Sequence, residues 1–316
     1  MRRVLVINSG RADLTPLSPV IEELGKYDDI DLFTGNIGAD ELGHALHRAE
    51  ARIKSSGPDI MVLLGDRYET LMAAAAATYY QIPICHIHGG EVTYGSFDNQ
   101  IRFAISALSH LHCTAAEAYS ERLRSMGEQY VWTCGAPGLD NLPEIYGGPP
   151  EPDPKTIVVT YHPETAGDYD NAHAIMAIRT ALEKFPEYSV LWTKPNRDPG
   201  SLAPKDITYV DWSAEQYLRA VFNAACVVGN SSSGIIEAPT LSTPTVNVGR
   251  RQEGRLKAPS VFDAQVGTIA ITEAIRGALR YDGPWWNPHE PGGSRRIAAA
   301  IRRIDLDEIR VKTWRS

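Results

Sequence analysis

Several features that would assign this 316-residue chain to a familiar class are missing. It has no apolar run long enough to cross a membrane, and the opening MRRV leads straight into a strand pattern rather than a secretion signal. Its four cysteines lie far apart and form no CxxC pair, so we expect small buried core residues rather than disulfides or metal ligands. These absences favour a cytoplasmic protein that does not contact a membrane.

Positive charge is also scarce. The chain has 31 Lys and Arg against 39 Asp and Glu, for a net charge of −8. A bulk basic surface is therefore excluded and nucleic acid is not an expected partner, so any bound anion must be held by a local cluster of donors. The length predicts two domains, and 43% hydrophobic residues indicate a globular protein.

Short apolar runs alternate with helical patterns along the chain, as in parallel βαβ units. The predicted strands are 4–8, 31–34, 60–64, 84–87, 113–115, 130–134, 156–161, 189–193, 207–210, 226–228, 245–248 and 268–271. A proline-rich stretch at 142–154 is predicted to be a linker. We predict an α/β protein of two Rossmann-like, doubly wound domains, 1–150 and 151–316, that face a central cleft. A last helix from Ser294 is expected to pack back on the first domain.

Polar and glycine-rich groups follow five of these strands, where ligands of such sheets bind. They read NSGR at 8–11, GDR at 65–67, HGGE at 88–91, HPE at 162–164 and GNS at 229–231. Their repetition in both halves predicts one ligand site built from strand ends.

The segment GNSSSGIIEAP (229–239) follows a strand and opens a helix, which is typical of an anion site at a helix N-terminus. Serine hydroxyls can add donors there, and Glu237 can accept the hydroxyls of a ribose. An ordinary serine-capped helix is the alternative. Because GxGxxG and GxxxxGK[ST] are both absent, a dinucleotide or P-loop site is not supported. Arg11 and Arg255 are candidate clamps for a diphosphate, with solvated surface charge as the alternative.

Three carboxylates near predicted strand ends are candidates for acid–base chemistry. Asp66 ends an apolar strand, Glu91 follows a Gly-Gly turn at the end of the next, and Asp98 begins a helix. Together they predict a cluster near one sugar, with mutual repulsion raising their pKa values for acid–base work, although Asp98 is also a plain N-cap candidate. His162, after the first strand of the second half, is predicted to donate to a phosphate or to the leaving oxygen.

The pattern H-x-H-x-x-E formed by His86, His88 and Glu91 is compatible with a metal site. Two histidines on one strand face, with the glutamate beyond a glycine turn, favour buried, hydrogen-bonded histidines instead. We expect neither a metal nor a nicotinamide cofactor.

The segments GRADLTPLSPVI, VLLGDRYET, IPICHIHGGEVTYGSFDNQIRFAISALSHLH, TCGAPGLDN, VVTYHPET, GNSSSGIIEAP and PTVNVGRRQEGR together resemble the UDP-N-acetylglucosamine 2-epimerase family. The resemblance spans both halves in order and is to the hydrolysing branch of sialic acid and related nonulosonate pathways. It implies a fold like that of the GT-B glycosyltransferases, a UDP-sugar substrate, a UDP product and a homo-oligomer, either dimer or tetramer.

The resemblance also implies roles for residues of this sequence. The implied catalytic residues are Asp66, Glu91, Asp98 and His162. The implied substrate-binding residues are Arg11, Arg67, Arg102, Asn230, Ser231, Ser232, Ser233, Gly234, Glu237 and Arg255. One departure is that DLTP at 13–16 stands where the non-hydrolysing enzymes carry a lysine.

The sequence is also compatible with three alternative functions. A non-hydrolysing 2-epimerase would share the site, and a GT-B glycosyltransferase would need an acceptor pocket but not the carboxylates. A nucleotide-sugar sensor would have lost the carboxylates, and all three are present.

Overall fold

The computed structural model describes residues 1–38, 41–142, 155–167, 169–195 and 200–314, with the backbone alone at positions 11 and 12. It divides into two compact units. The first contains Met1–Glu91, Asp98–Asn141 and the C-terminal segment that begins at His289. The second contains Val92–Phe97 and Leu142–Pro288. The predicted linker lies, from residue 143 onward, outside the described residues.

The first unit is a six-stranded parallel sheet in the order β2-β1-β3-β4-β5-β6. Its strands are β1 (Arg2–Asn8), β2 (Ile30–Asn36), β3 (Ile60–Leu64), β4 (Ile84–Ile87), β5 (Leu111–Thr114) and β6 (Val131–Thr133). Its first helices are α1 (Arg11–Leu24), α2 (Leu42–Ser56), α3 (Tyr68–Tyr79), α4 (Asp98–Leu108) and α5 (Glu117–Ser125). They are followed by a 3-10 turn (Pro137–Leu139), α10 (Gly293–Arg303) and α11 (Leu306–Ile309).

The second unit is another six-stranded parallel sheet, in the order β12-β11-β10-β7-β8-β9. Its strands are β7 (Thr156–Thr160), β8 (Ser189–Thr193), β9 (Tyr209–Val210), β10 (Cys226–Gly229), β11 (Thr245–Val248) and β12 (Val261–Ala264). Its helices are α6 (Asn171–Leu182), α7 (Ala214–Asn223), α8 (Ser233–Thr240) and α9 (Thr268–Leu279). The predicted fold class, two doubly wound Rossmann-like halves, is confirmed.

Central strands read as continuous apolar runs because helices cover both sheet faces. All five residues of β3 are buried, and so are all four of β4. The four cysteines are buried and unbridged. Among the described residues, no helix is long and apolar enough to span a membrane.

The predicted strand at 268–271 is wrong. Those residues form the first turn of α9, and the sixth strand of the sheet is β12, a few residues earlier. The alternation in Thr-Ile-Ala-Ile fits a strand locally, but Ile269 is 81% exposed while Ile271 and Ile275 are fully buried. That burial follows helical spacing, which only the longer window to Leu279 reveals.

The last long helix, α10, packs into the core of the first unit. Ile297 and Ile301 are fully buried in the same cluster as Leu17 of α1. Asp140 caps the start of α10 by accepting from the backbone N–H of Ser294 at 2.7 Å. The C-terminal helix thus stabilises the unit that carries the predicted carboxylates.

Candidate functional site

The first unit gathers the predicted carboxylates around the guanidinium of Arg102. Nη2 of Arg102 donates to Oδ2 of Asp66, and Nη1 donates to the backbone oxygen of Glu91 at 2.9 Å. Asp98 begins α4, one turn before Arg102 on the same helix. The Arg102 side chain is 1% exposed, whereas that of Asp66 is 24% exposed. The arginine therefore lies beneath the carboxylates, and one Asp66 oxygen is committed to it.

The carboxylate cluster also contains a buried positive charge, that of Arg102. Burial opposes the charge on Arg102, but attraction from Asp66, Glu91 and then Asp98 outweighs burial and raises the pKa of the guanidinium. A permanent cation beside three carboxylates counteracts their mutual repulsion. Arg102 makes buried contacts with Asp66 and with the Glu91 backbone, and its predicted contact with diphosphate or sugar stays a prediction.

Glu91 is buried and paired with His88, a partner that sequence reasoning assigned to no role at this site. Nδ1 of His88 lies 2.6 Å from Oε1 of Glu91. His88 has a φ of +62°, a left-handed conformation that non-glycine residues adopt rarely and mostly where the surroundings enforce it. The strained turn after β4 thus aims the imidazole at the carboxylate. The φ angle could not be read from the sequence, because the position is not a glycine.

The Asp66 turn comprises Gly65, Asp66 and Arg67. Gly65 has a φ of +76° and donates its N–H to the oxygen of Ile87 at 3.0 Å, which joins the ends of β3 and β4. Arg67 precedes α3, and its half-exposed side chain lies 3.6 Å from Glu69. The turn therefore presents Asp66 at the carboxyl edge of the sheet.

The turn after β1 contributes a carboxylate that sequence reasoning missed. Asp13 is buried and accepts hydrogen bonds from the N–H of Ser9 at 2.7 Å and from its hydroxyl at 2.5 Å. Burial raises the pKa of Asp13. Arg11 is the first residue of α1, but its side chain lies outside the described part of the chain.

The histidines of the metal hypothesis are engaged with the protein. His86 contacts Gly65 and Ser106, and His112 lies 2.9 Å from Glu128. Within the described residues, no group of three His, Cys, Asp or Glu side chains is arranged to hold a metal ion.

In the second unit, the ends of β7 and β10 are joined by Asn230. Its Oδ1 accepts from the N–H of His162 at 2.7 Å, and its Nδ2 donates to the His162 oxygen at 2.8 Å. These strands are neighbours at the point where the strand order reverses, which is where doubly wound sheets bind ligands. Gly229 permits the approach, since a Cβ there would lie 2.0 Å from the Thr160 oxygen.

The His162 imidazole is neutral. Burial, followed by the nearby charge of Arg251, lowers the pKa of the ring to about 3. Among the described residues nothing hydrogen-bonds to its buried Nδ1. The ring is thus suited to hydrogen bonding rather than to charge attraction.

The serine turn (Ser231–Ser233) opens α8 without capping it in the usual way. Ser232 is the N-cap residue, yet its side chain makes no capping hydrogen bond, and Ser231 Oγ accepts only a long 3.4 Å bond from the Ser233 N–H. The Ser233 hydroxyl is buried with no partner among the described residues. The simple capped-helix alternative therefore does not account for three successive serines.

Gly234 and Glu237 lie on α8 behind this turn. A Cβ on Gly234 would come within 2.8 Å of Thr245 Cγ2, so the helix packs closely on β11. Glu237 is partly buried one turn further along. The spacing of these residues follows the helix that the sequence predicted.

An arginine loop (residues 249–255) folds over Asn230. Nη1 of Arg251 and Nε2 of Gln252 donate to the backbone oxygen of Asn230 at 3.3 and 2.8 Å, respectively. Glu164 anchors the loop by accepting from the N–H of Arg250 at 2.6 Å, and burial raises the pKa of this carboxyl. Arg255 ends the loop with its side chain partly buried. Sequence reasoning noted Glu164 at a strand end but gave it no role.

A short excursion of the chain, Val92–Phe97, belongs to the second unit and contacts the same loop. Tyr94 donates its N–H to the Glu253 oxygen at 2.9 Å. The Gly95 oxygen accepts from the N–H groups of Thr165 and Ala166, both at 3.3 Å. The residues directly after Glu91 are thus fixed by the arginine loop and by the segment that follows β7.

Comparison with known proteins identifies the family. The family model for UDP-N-acetylglucosamine 2-epimerase matches residues 28–302. A UDP-N,N'-diacetylbacillosamine 2-epimerase (hydrolyzing) of Legionella pneumophila is 32% identical, over 88% of this chain and 89% of that protein. The polysialic acid biosynthesis protein P7 of Escherichia coli is 31% identical, over 81% of this chain and 73% of that protein.

The fold has solved counterparts as well. The UDP-GlcNAc 2-epimerase from Neisseria meningitidis, in a crystal structure bound to UDP-GlcNAc, superposes with a TM-score of 0.80. The match covers 96% of this chain and 100% of that one at 17% identity, so it bears on the fold alone. With the family model covering most of both sheets, this chain belongs to the UDP-N-acetylglucosamine 2-epimerase family.

Proposed function

We propose that this protein is a hydrolysing UDP-N-acetylglucosamine 2-epimerase. It converts UDP-N-acetylglucosamine, or a close 2-acetamido UDP-sugar, to N-acetylmannosamine or its analogue plus UDP. Family membership supports a 2-epimerase, and the relative from Legionella pneumophila carries the word hydrolyzing in its name.

The observation that carries the proposal is the cluster of Asp66, Glu91 and Asp98 around buried Arg102. Epimerisation at C2 needs a base on one face of the sugar and an acid on the other. Asp66 is 24% exposed and Glu91 is 1% exposed and paired with His88, so the two carboxylates have different surroundings. Carboxylates held in unlike environments are suited to take different proton-transfer roles.

The second unit supplies the grip on UDP. The serine turn at the start of α8 offers backbone N–H groups and hydroxyls to the diphosphate. Neutral His162 and the arginine loop lie beside it through Asn230. We assign Arg255 to the phosphates and Glu237 to the ribose hydroxyls.

The reaction runs in two steps. A carboxylate removes the proton from C2 while the C1–O bond to UDP breaks, giving 2-acetamidoglucal and UDP, and the leaving oxygen receives a hydrogen bond from the protein. Water then adds at C1 and loses a proton to a protein carboxylate, while a protonated carboxyl group delivers a proton to the opposite face of C2. The chemistry moves protons and no hydride, so we assign no nicotinamide or metal to it.

The test is the reaction of UDP-N-acetylglucosamine in deuterium oxide, followed by NMR. We expect UDP and free N-acetylmannosamine with deuterium at C2. Intact UDP-N-acetylmannosamine without UDP would identify a non-hydrolysing enzyme. Transfer of the sugar to an acceptor with no isotope at C2 would identify a glycosyltransferase.

A second substrate is favoured by the similarity to the Legionella pneumophila protein, whose name specifies UDP-N,N'-diacetylbacillosamine. The same two steps would release a 2,4-diacetamido sugar, because the 4-acetamido group takes no part at C1 or C2. Competition between the two UDP-sugars at equal concentration, with products resolved by NMR, measures the ratio of their kcat/KM values.

A further inference from the structure

His86 connects three parts of the first unit. It lies on β4 and is completely buried. Its Nε2 is 2.8 Å from the backbone oxygen of Gly65, which directly precedes Asp66. Its Nδ1 is 3.0 Å from Oγ of Ser106, which lies one turn after Arg102 on α4.

These partners admit one arrangement of protons. A carbonyl oxygen can only accept, so Nε2 of His86 carries the hydrogen and donates it to Gly65. Burial lowers the pKa of His86 to about 3, so the ring is neutral and its other nitrogen is an acceptor. Nδ1 therefore accepts from the Ser106 hydroxyl. Both ring nitrogens are satisfied, and the imidazole cannot flip without losing both bonds.

The contacts form a closed circuit. From His86 the chain of bonds runs to Gly65 and along the backbone to Asp66, then to Arg102 through the ion pair. It returns along α4 to Ser106 and back to the imidazole. His86, Arg102 and Ser106 are buried, whereas Gly65 and Asp66 are partly exposed, so the circuit ties the Asp66 carboxylate at the surface to side chains inside the protein.

The protein is closely packed around the hydrogen bond between His86 and Ser106. A Cβ on Gly89 would lie 2.9 Å from Nδ1 of His86 and 3.0 Å from Oγ of Ser106. No side chain fits at position 89 without displacing that hydrogen bond. The Gly-Gly of the HIHGGE segment is thus explained in part by the histidine before it.

We propose that His86 is a positioning residue, which sets the Asp66 carboxylate through the Gly65 oxygen and α4 through Ser106. The inference rests on the proposed function in one respect, namely that Asp66 takes part in the reaction. Nothing in the geometry brings the imidazole itself to a substrate, since His86 is completely buried.

The test compares two variants at this position with a matched control. His86→Gln keeps an N–H donor near the place of Nε2, whereas His86→Met fills the space without a donor. The control is His112→Met on β5, which pairs in register with His86, is equally buried and bonds to Glu128 rather than to the Asp66 turn. All three are assayed for turnover of UDP-N-acetylglucosamine, for UDP affinity and for melting temperature.

We expect His86→Met to lower kcat by about 10²-fold, the usual cost of misplacing a catalytic group by an ångström, with KM and UDP affinity unchanged. His86→Gln should recover most of that loss. His112→Met should lose stability but keep kcat. If both histidine-to-methionine variants lose kcat in proportion to their melting temperatures, His86 is merely structural and the inference is overturned.

Two further measurements separate this inference from the proposed function. Asp66→Asn that retains normal turnover would defeat the proposed role of Asp66, whereas inactive Asp66→Asn beside active His86→Met would defeat only the positioning role. Independently of turnover, the NMR signal of the Asp66 backbone N–H should shift in His86→Met and return toward wild type in His86→Gln. Absence of any shift in the methionine variant would refute the linkage.

Discussion

Replacing Arg102 with methionine is the most informative perturbation of the first unit. Methionine keeps much of the volume of the arginine stem but removes the positive charge that the structure shows bonded to Asp66. The change takes this counter-charge away from a partly buried carboxylate and removes a hydrogen bond to the Glu91 backbone oxygen. Both the free energy of unfolding and the rate of turnover should fall, and the two losses can be measured separately.

The magnitude follows from burial. Breaking a buried ion pair by removing one partner costs roughly 3 to 5 kcal/mol, because the other charge stays desolvated. For a unit of this size each kcal/mol lowers the melting temperature by about 2 to 4 °C, which gives a drop of roughly 6 to 20 °C. The matched control is Arg302→Met, which breaks an exposed pair with Asp29 at 3.0 Å and should change little.

The pH dependence of this loss has a definite sign. Without the guanidinium, the Asp66 carboxylate loses a positive neighbour, so its charged form is less favourable in the folded variant than in the folded wild type. The folded variant then binds more protons than the folded wild type at mildly acidic pH, so its loss of stability relative to wild type grows as pH rises from about 4 to 7. The stability gap from wild type should widen over that window.

Melting curves of Arg102→Met, Asp66→Asn and the double variant, recorded from pH 4 to 7, test the reasoning. The double variant should melt above Arg102→Met at pH 7, because the asparagine carries no charge to strand. A single-variant loss no larger than that of Arg302→Met, or a double variant that is less stable still, would refute the account of Arg102 as the counter-charge.

Three further predictions concern the chemistry and the nucleotide. Asp66→Asn and Glu91→Gln should each lower kcat by about 10² to 10⁴-fold. Only the variant that lacks the base of the first step should still hydrate added 2-acetamidoglucal in the presence of UDP. Hydration by both variants, or by neither, would contradict separate roles for the two carboxylates. Ser232→Ala and Arg255→Ala should weaken UDP binding, measured by calorimetry, more than they lower kcat. Burial lowers the pKa of His162 to about 3, so its ring is neutral at physiological pH. ¹³C-labelled His162 should therefore show no NMR titration near pH 6.5. Because the unfolded chain binds a proton at this histidine that the folded protein does not, the free energy of unfolding should fall as pH drops from about 6.5 toward 3.

Strand positions and strand ends were the most predictable features of the sequence. Buried parallel strands are short and mostly apolar, so β3 (IMVLL) and β4 (ICHI, apolar apart from His86) are evident from the sequence. The groups that follow them, GDR and HGGE, are polar and glycine-rich, which marks the ends of these strands in the sequence. At 268–271 the apolar pattern predicts a strand where the structure has a helix, because four residues cannot distinguish a strand from a helix turn.

The partners of the site residues were not predictable. Arg102 looks in sequence like any polar residue on an amphipathic helix, and only the crossing of α4 past the end of β3 brings it to Asp66. His88 contacts Glu91 because its backbone has a φ of +62°, a conformation that a histidine in the sequence does not indicate. Glu164 meets the arginine loop 86 residues further along the chain. Such contacts depend on tertiary geometry, which residue type and spacing leave open.

The two sheets place their site residues by different routes. In the second unit the strand order reverses between β7 and β10, and His162 and Asn230 stand together at that reversal. In the first unit the strand order reverses between β1 and β3. This reversal explains the position of Asp66, which follows β3, but not that of Glu91, which follows β4, one strand further from the reversal. Glu91 is drawn to the cluster by Arg102, whose Nη1 bonds to its backbone oxygen. Sheet topology therefore places polar strand-end residues at the carboxyl edge in both units, while the grouping of Glu91 with Asp66 in the first depends on one buried arginine.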